Sequence, residues 1–241
     1  MNDDLRLALA LADAADEITM HHFHSATLSV RMKSDRTPVS EADEAVERMI
    51  RDALAKERPD DGIVGEEFGT VDRGHSCPRN WIIDPIDATK NYVRGIPVFA
   101  TLIALDGSVG VVSAPALQRR WWAVRGEGAF CNGRRIHVSA VDKLEDAQAD
   151  LQADDRNMPL IRRCGRTRCF GDFWQHMLVA EGAIEIALDP VAAWWDMAPL
   201  LVIVEEAGGR LTNLAGEARA DGGSGVSTNG ALHDEVLAAL R

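Results

Sequence analysis

The chain has 241 residues, 46% of them hydrophobic and 27% charged, enough to bury the core of one large domain or of two closely joined lobes. Its 26 basic residues stand against 38 acidic ones, net −12, which leaves no broad basic face to release counterions from a nucleic acid backbone. The same excess would repel an anionic substrate unless a bound cation or a local positive group intervened.

The N-terminal stretch MNDDLRLALALADAADEITM places Leu5, Leu9, Ala12, Ile18 and Met20 at roughly helical spacing, predicting a helix over residues 3–24. It lacks the basic start and apolar core of a signal peptide, so a cytoplasmic location is expected. His21, His22 and His24 share no single helix face and read as surface side chains rather than metal ligands. ATLSVRMK alternates as a strand, SDRTP turns the chain, and Ser40 caps a second helix over 40–58. DGIVGEE and NWIIDP read as short strands, the second ending at or near Pro85, with the polar stretch FGTVDRGHSCPRN as a loop between them.

From Phe99 to Phe130 the pattern is a run of antiparallel strands with tight turns. The pairs Trp121–Trp122 and Trp194–Trp195, taken as strand residues, would each turn one ring inward and one outward, and outward rings mark a subunit contact. Later segments, GDFWQHMLVAEGAIEIAL, WWDMAPLLVIVEEAGG and GVSTNGALHDEVLAAL, alternate helix with short strand. With no repeat or linker, residues 1–241 read as one unit with a seam near 142–155, layered helix, sheet, helix, sheet, helix. No apolar run reaches membrane-spanning length. Cys77, Cys131, Cys164 and Cys169 form no CxxC pair and no metal spacing, which leaves reduced thiols as the plain reading.

The stretch WIIDPIDATKNY sets Asp84 and Asp87 at the end of an apolar strand, where the turn after Pro85 can aim both at one spot. Two close carboxylates repel, so one takes a proton or both meet a cation. The following DATKN can open a helix whose free N–H groups suit a phosphate. A hard cation such as Mg²⁺ answers both needs, because it accepts carboxylates, water and phosphate oxygens together. Glu66 at another strand end and Asp196 at a helix start are further acidic contributors, against the plainer reading of each as a turn acid or helix cap.

GEE, WIIDPIDATKNY and WDMAPLLVIVEEAGG together resemble, in order and spacing, the three signature blocks of the inositol monophosphatase family of Mg²⁺-dependent, lithium-sensitive phosphatases, over nearly the whole chain. The resemblance implies an α/β five-layer αβαβα sandwich, and two or three Mg²⁺ ions held by Glu66, Asp84, the Ile86 carbonyl, Asp87 and Asp196. It implies Asp43 and Thr89 as the catalytic pair, Lys33 beside the metals, and the N–H groups of Ala88 and Thr89 on the phosphate. The family usually carries glycine where this chain has Ala88 and phenylalanine where it has Tyr92; a methyl at 88 would crowd the phosphate or strain a backbone of positive φ.

RTRCFGDFWQHMLVAEGAIEIALDP matches the family's substrate-contacting region, implying Arg168, Gly171, Asp172, Phe173 and Asp189 as substrate residues. Asp172 stands where inositol-specific members have a small residue, and an added acid there suits a cationic leaving alcohol. GDFW, LVAEGA and STNGALHDEVLAAL look most like the family's histidinol-phosphate phosphatases of histidine biosynthesis, which implies L-histidinol phosphate as substrate and, as is common in the family, a homodimer. The rival readings are an inositol-1-phosphate phosphatase, then a phosphatase of 3′-phosphoadenosine nucleotides or fructose bisphosphate, and, from another class, a regulatory binding protein. Of the basic group Arg162, Arg163, Arg166 and Arg168, only Arg168 is carried into the site; the rest read as a solvated face.

Overall fold

The computed structural model describes residues 2–72 and 79–240; residues 73–78 of the expected loop, Cys77 among them, lie outside the described residues. In chain order the elements are α1 (Asp3–His22), the hairpin β1 (Val30–Met32) and β2 (Pro38–Ser40), α2 (Glu41–Glu57), β3 (Gly62–Gly65), β4 (Gly69–Val71), β5 (Asn80–Asp87) and α3 (Thr89–Val93). Then come β6 (Ala100–Leu105), β7 (Val109–Ala114), β8 (Arg119–Val124), β9 (Gly128–Cys131) and β10 (Arg134–Arg135). The remainder is β11 (Gln148–Asp150), α4 (Met158–Ile161), β12 (Arg166–Arg168), α5 (Asp172–Ala180), β13 (Ile186–Asp189), α6 (Trp194–Glu206), β14 (Arg210–Thr212), β15 (Gly225–Thr228) and α7 (His233–Ala239).

An eight-stranded sheet has the order β10-β9-β8-β7-β6-β5-β3-β4, with β3 and β5 parallel and the other neighbours antiparallel; a five-stranded sheet has the order β12-β11-β13-β15-β14. Strand periodicity builds the layers. In β5, Trp81 and Ile83 face one way and meet Leu11, Val46 and Ile50 of α1 and α2, while Ile82 faces the other way and joins Phe173, Met177 and Ile203 of α5 and α6. Helices α4 and α7 close the far face of the second sheet through Leu160, Val236 and Leu237 on Ile186 and Val226. The result is the expected helix, sheet, helix, sheet, helix sandwich.

Three local expectations are corrected. Strand β5, expected to end at or near Pro85, runs two residues past it to Asp87, and part of the expected loop, Gly69–Val71, is strand β4 against β3. Trp194 and Trp195 open helix α6 and both rest half-buried on the core, so alternation applies only to Trp121, fully buried, and Trp122, stacked on Phe130 across β8 and β9. Cys131, Cys164 and Cys169 are free thiols. No helix among the described residues is long and apolar enough to cross a membrane.

Candidate active site

Residues three apart in a regular strand point to opposite faces, so Asp84 and Asp87 need a device to converge. Pro85 brings no N–H to the ladder, and the register with β6 slips from Asp84 opposite Leu102 to Asp87 opposite Ala100, one extra residue on β5. That bulge returns Asp87 to the side of Asp84. The chain then turns through Ala88 at φ 65°, ψ 43°, the left-handed region, and the amides of Ala88 and Thr89 donate to no acceptor among the described residues.

Asp84, Asp87 and Asp196 each offer a carboxylate oxygen, all within 4.8 Å of one another. Their other contacts fix them: Asp84 Oδ1 accepts from the Ile86 amide at 3.0 Å, Asp87 Oδ2 from the Phe173 amide at 2.7 Å, and Asp196 Oδ2 from the Ala193 amide at 2.7 Å at the start of α6. Burial, then the charges of Glu66, Asp87 and Asp196, raises the Asp84 carboxyl well above its ordinary range. Burial, then Asp172 and Asp196, does the same to Asp87, and burial with the charges of Glu66, Asp189 and Asp172 pushes Asp196 up to about 6. Like charges held this close favour a bound cation.

Glu66 leaves the end of β3 beside this cluster and is paired with Lys33, whose Nζ lies 2.8 Å from Glu66 Oε1 and 2.6 Å from Glu67 Oε1. Burial pulls the Lys33 ammonium down, but its hydrogen bonds to the two glutamates outweigh that and leave it raised. The turn is held by Glu47 of α2, fully buried, whose carboxylate accepts from the Glu67 and Phe68 amides at 2.7 and 3.1 Å and from Arg51 Nε at 2.7 Å. Gly65 permits this, since a Cβ there would sit 2.0 Å from Glu47 Oε1.

Thr89 Oγ1 lies 3.0 Å from the Ile86 carbonyl and 3.4 Å from Asp43 Oδ1. Asp43 is fully buried; its other oxygen accepts from the Ser40 amide and hydroxyl at 2.9 and 2.5 Å, the capping box of α2. Burial, then the charge of Glu66, pushes its carboxyl up to about 6 against those hydrogen bonds.

On the other side, Asp172 opens α5 at φ 52° after Gly171, with Asn91 Nδ2 3.3 Å from its Oδ2. Burial and the charge of Asp189 push it up to about 6. Asp189 ends β13 and is gripped by Gln175 and His176 of α5. A pocket of about 270 Å³ lined by Thr37, Glu66, Ala88, Thr89, Lys90 and Asp172 meets, at Asp172, a smaller one of about 90 Å³ lined by Asp87, Phe173, Asp189, Val191, Asp196 and Met197. Arg168 is elsewhere: it sits exposed on edge strand β12, its guanidinium 2.7 Å from the Thr167 carbonyl, and it lines neither pocket.

A sequence profile of the inositol monophosphatase family matches residues 1–241. The chain belongs to the inositol monophosphatase family. It is 52% identical to a histidinol-phosphatase of Mycobacterium tuberculosis, covering 99% of this chain and 98% of that one, and 49% identical to a histidinol-phosphatase of Streptomyces coelicolor, covering 99% and 97%. The fold superposes with a TM-score of 0.90 on the extragenic suppressor protein suhB of Bartonella henselae, 27% identical, over 100% of this chain and 99% of that one.

The donor set fits the metal such a family member requires. Every candidate ligand is a hard oxygen, the Asp84–Asp87–Asp196 triad is crowded enough to raise its own proton affinity, and no nitrogen or sulfur donor lies in it. Sequence reasoning missed Glu47, Glu67, Gln175 and His176. Glu47 and Arg51 carried a faint signal as an i, i+4 pair on a helix face that is otherwise apolar, and His176 one as a polar residue on the apolar stripe of Phe173, Met177 and Ala180.

Proposed function

We propose that the protein is an Mg²⁺-dependent phosphomonoesterase that hydrolyses L-histidinol phosphate to L-histidinol and phosphate, working in the cytoplasm as a homodimer in histidine biosynthesis. The observation that carries the substrate assignment is a second acidic pair, Asp172 and Asp189, which lines one small pocket together with Asp87 and Asp196 of the metal cluster. A metal site alone does not need it. A leaving alcohol with an ammonium and an imidazole does, because each cation finds a carboxylate in a partly dry site. The likeness to two histidinol-phosphatases at about half identity supports the same choice.

In this reading Glu66, Asp84, the Ile86 carbonyl, Asp87 and Asp196 hold the ions. Mg²⁺ bound there supplies Lewis-acid activation of water and neutralises charge on the phosphoryl and leaving oxygens. The chain does the rest. The amides of Ala88 and Thr89, without acceptors among the described residues, hold phosphoryl oxygens. Thr89 Oγ1 stands between the Ile86 carbonyl and Asp43, so it can take a proton from water while passing its own to the Asp43 carboxylate. Ser40 holds Asp43 in place for that transfer. Lys33 holds the Glu66 and Glu67 carboxylates in place by donating to both.

Asp172→Ser tests the assignment. It should lower kcat/KM for histidinol phosphate at least about tenfold more than for inositol 1-phosphate, the scale of one lost charge-assisted contact. Equal losses on the two esters would remove Asp172 as the selector.

A further inference from the structure

The core-facing stripe of α5 runs Phe173, His176, Met177, Ala180, and the imidazole of His176 is fully buried on it where an aliphatic side chain would pack at no polar cost. Its two nitrogens are both used: Nε2 lies 2.8 Å from Asp189 Oδ2 and Nδ1 lies 2.6 Å from Ser227 Oγ on β15. A carboxylate only accepts, so Nε2 carries a proton; when the ring carries that proton alone, Nδ1 accepts from the Ser227 hydroxyl, which is itself fully buried with no other hydrogen bond among the described residues. Gln175, next along the helix and also buried, donates Nε2 to the other oxygen, Asp189 Oδ1, at 2.7 Å.

Asp189 therefore has one donor on each oxygen, from consecutive residues of one helix. Its carboxylate plane is fixed, but no arginine or lysine among the described residues pairs with it, and its side chain remains 24% exposed in the pocket it shares with Asp172 and Phe173. We infer that Gln175 and His176, with Ser227 setting the imidazole tautomer, are positioning residues that aim Asp189 at the cationic end of the leaving alcohol. This rests on the functional reading above and extends it to the device that holds the selector. The same helix carries the Phe173 amide that bonds Asp87, so one rigid element orients the metal cluster and the selector together.

The test is steady-state kinetics of His176→Leu, His176→Gln and Ser227→Ala on histidinol phosphate and inositol 1-phosphate with Mg²⁺, each variant first checked for an unchanged circular dichroism spectrum. His176→Leu should raise KM for histidinol phosphate about tenfold, the worth of one hydrogen bond to a charged group, with kcat within about threefold of the parent. KM for inositol 1-phosphate should change less. His176→Gln, whose amide still reaches the carboxylate as a donor, should recover most of the loss, and Ser227→Ala should fall between. A parallel fall in kcat on both esters with no rescue by glutamine would make His176 a packing residue and overturn the inference. If the parent does not prefer histidinol phosphate, the substrate assignment fails on its own. The positioning claim is then decided on the ester the parent hydrolyses best: a raised KM in His176→Leu rescued in His176→Gln upholds it, and a parental KM in His176→Leu overturns it.

Discussion

Ala88→Gly should make the protein more stable. Ala88 is held at φ 65°, ψ 43° between the bulge of β5 and α3, and its carbonyl accepts from the Asn91 and Tyr92 amides at 2.8 and 3.1 Å, so the turn cannot relax without losing both bonds. A left-handed L-residue costs roughly 1–2 kcal/mol. Glycine removes that cost but adds roughly 0.4–1 kcal/mol of freedom to the unfolded chain, for a net gain of about 0.5–1 kcal/mol. At about 2–4 °C per kcal/mol for a chain of this size, Tm should rise by about 1–4 °C. Calorimetry in a chelator isolates the backbone term from metal binding, and Ala88→Val, β-branched and worse in this region, should move Tm the other way. A glycine variant no more stable than the parent would refute the strain argument.

Asp84→Asn should abolish turnover, yet in a chelator it should melt above the parent, because it removes one charge from a buried repelling group; Mg²⁺ should then raise its Tm less than the parent's. A lower melting point in chelator would mean the triad is not under electrostatic stress. Thr89→Ala should lower kcat by about 10²–10⁴ with metal affinity from calorimetric titration little changed, and Thr89→Ser should recover much of it; weakened metal binding with intact kcat would make Thr89 structural. His233, bonded to the Thr212 and Thr228 hydroxyls at 2.9 Å each, is pushed down to about 4 by burial, then by Arg210. Its unfolded value is about 6.5, so the unfolded state binds the extra proton. The contribution of neutral His233 is therefore complete above about pH 6.5 and drains away as pH falls towards 4. The urea midpoint of the parent should fall more steeply across that window than that of His233→Gln; parallel slopes would contradict the assignment.

Sequence and structure agree best where one local pattern decides the outcome. The α2 boundary followed from Ser40 and helical spacing, and β6 to β9 from alternation and tight turns. Residues 142–170 were opaque because β11, α4 and β12 are only three or four residues each, too short for a period to declare itself. The convergence of Asp84 and Asp87 was legible as a turn, but its cause, a bulge around Pro85, depends on register with β6, which a single strand does not encode. Trp194 and Trp195 misled because an adjacent aromatic pair reads equally as strand or first helical turn; Asp196 bonding back to the Ala193 amide decides for the helix. Glu47 and His176 stayed hidden because their partners, the Glu67 amide and the Asp189 carboxylate, lie 20 and 13 residues away in other elements.

The central claim is that a metal-dependent phosphatase site here selects a cationic alcohol. The most direct measurement is phosphate release from L-histidinol phosphate, inositol 1-phosphate, fructose 1,6-bisphosphate and 3′-phosphoadenosine 5′-phosphate, each with Mg²⁺ and with a chelator. We expect kcat/KM for histidinol phosphate about a hundredfold above the others, as two charge-assisted contacts would give, and no turnover in chelator. Comparable turnover of a neutral ester, or activity that survives the chelator, would contradict the account.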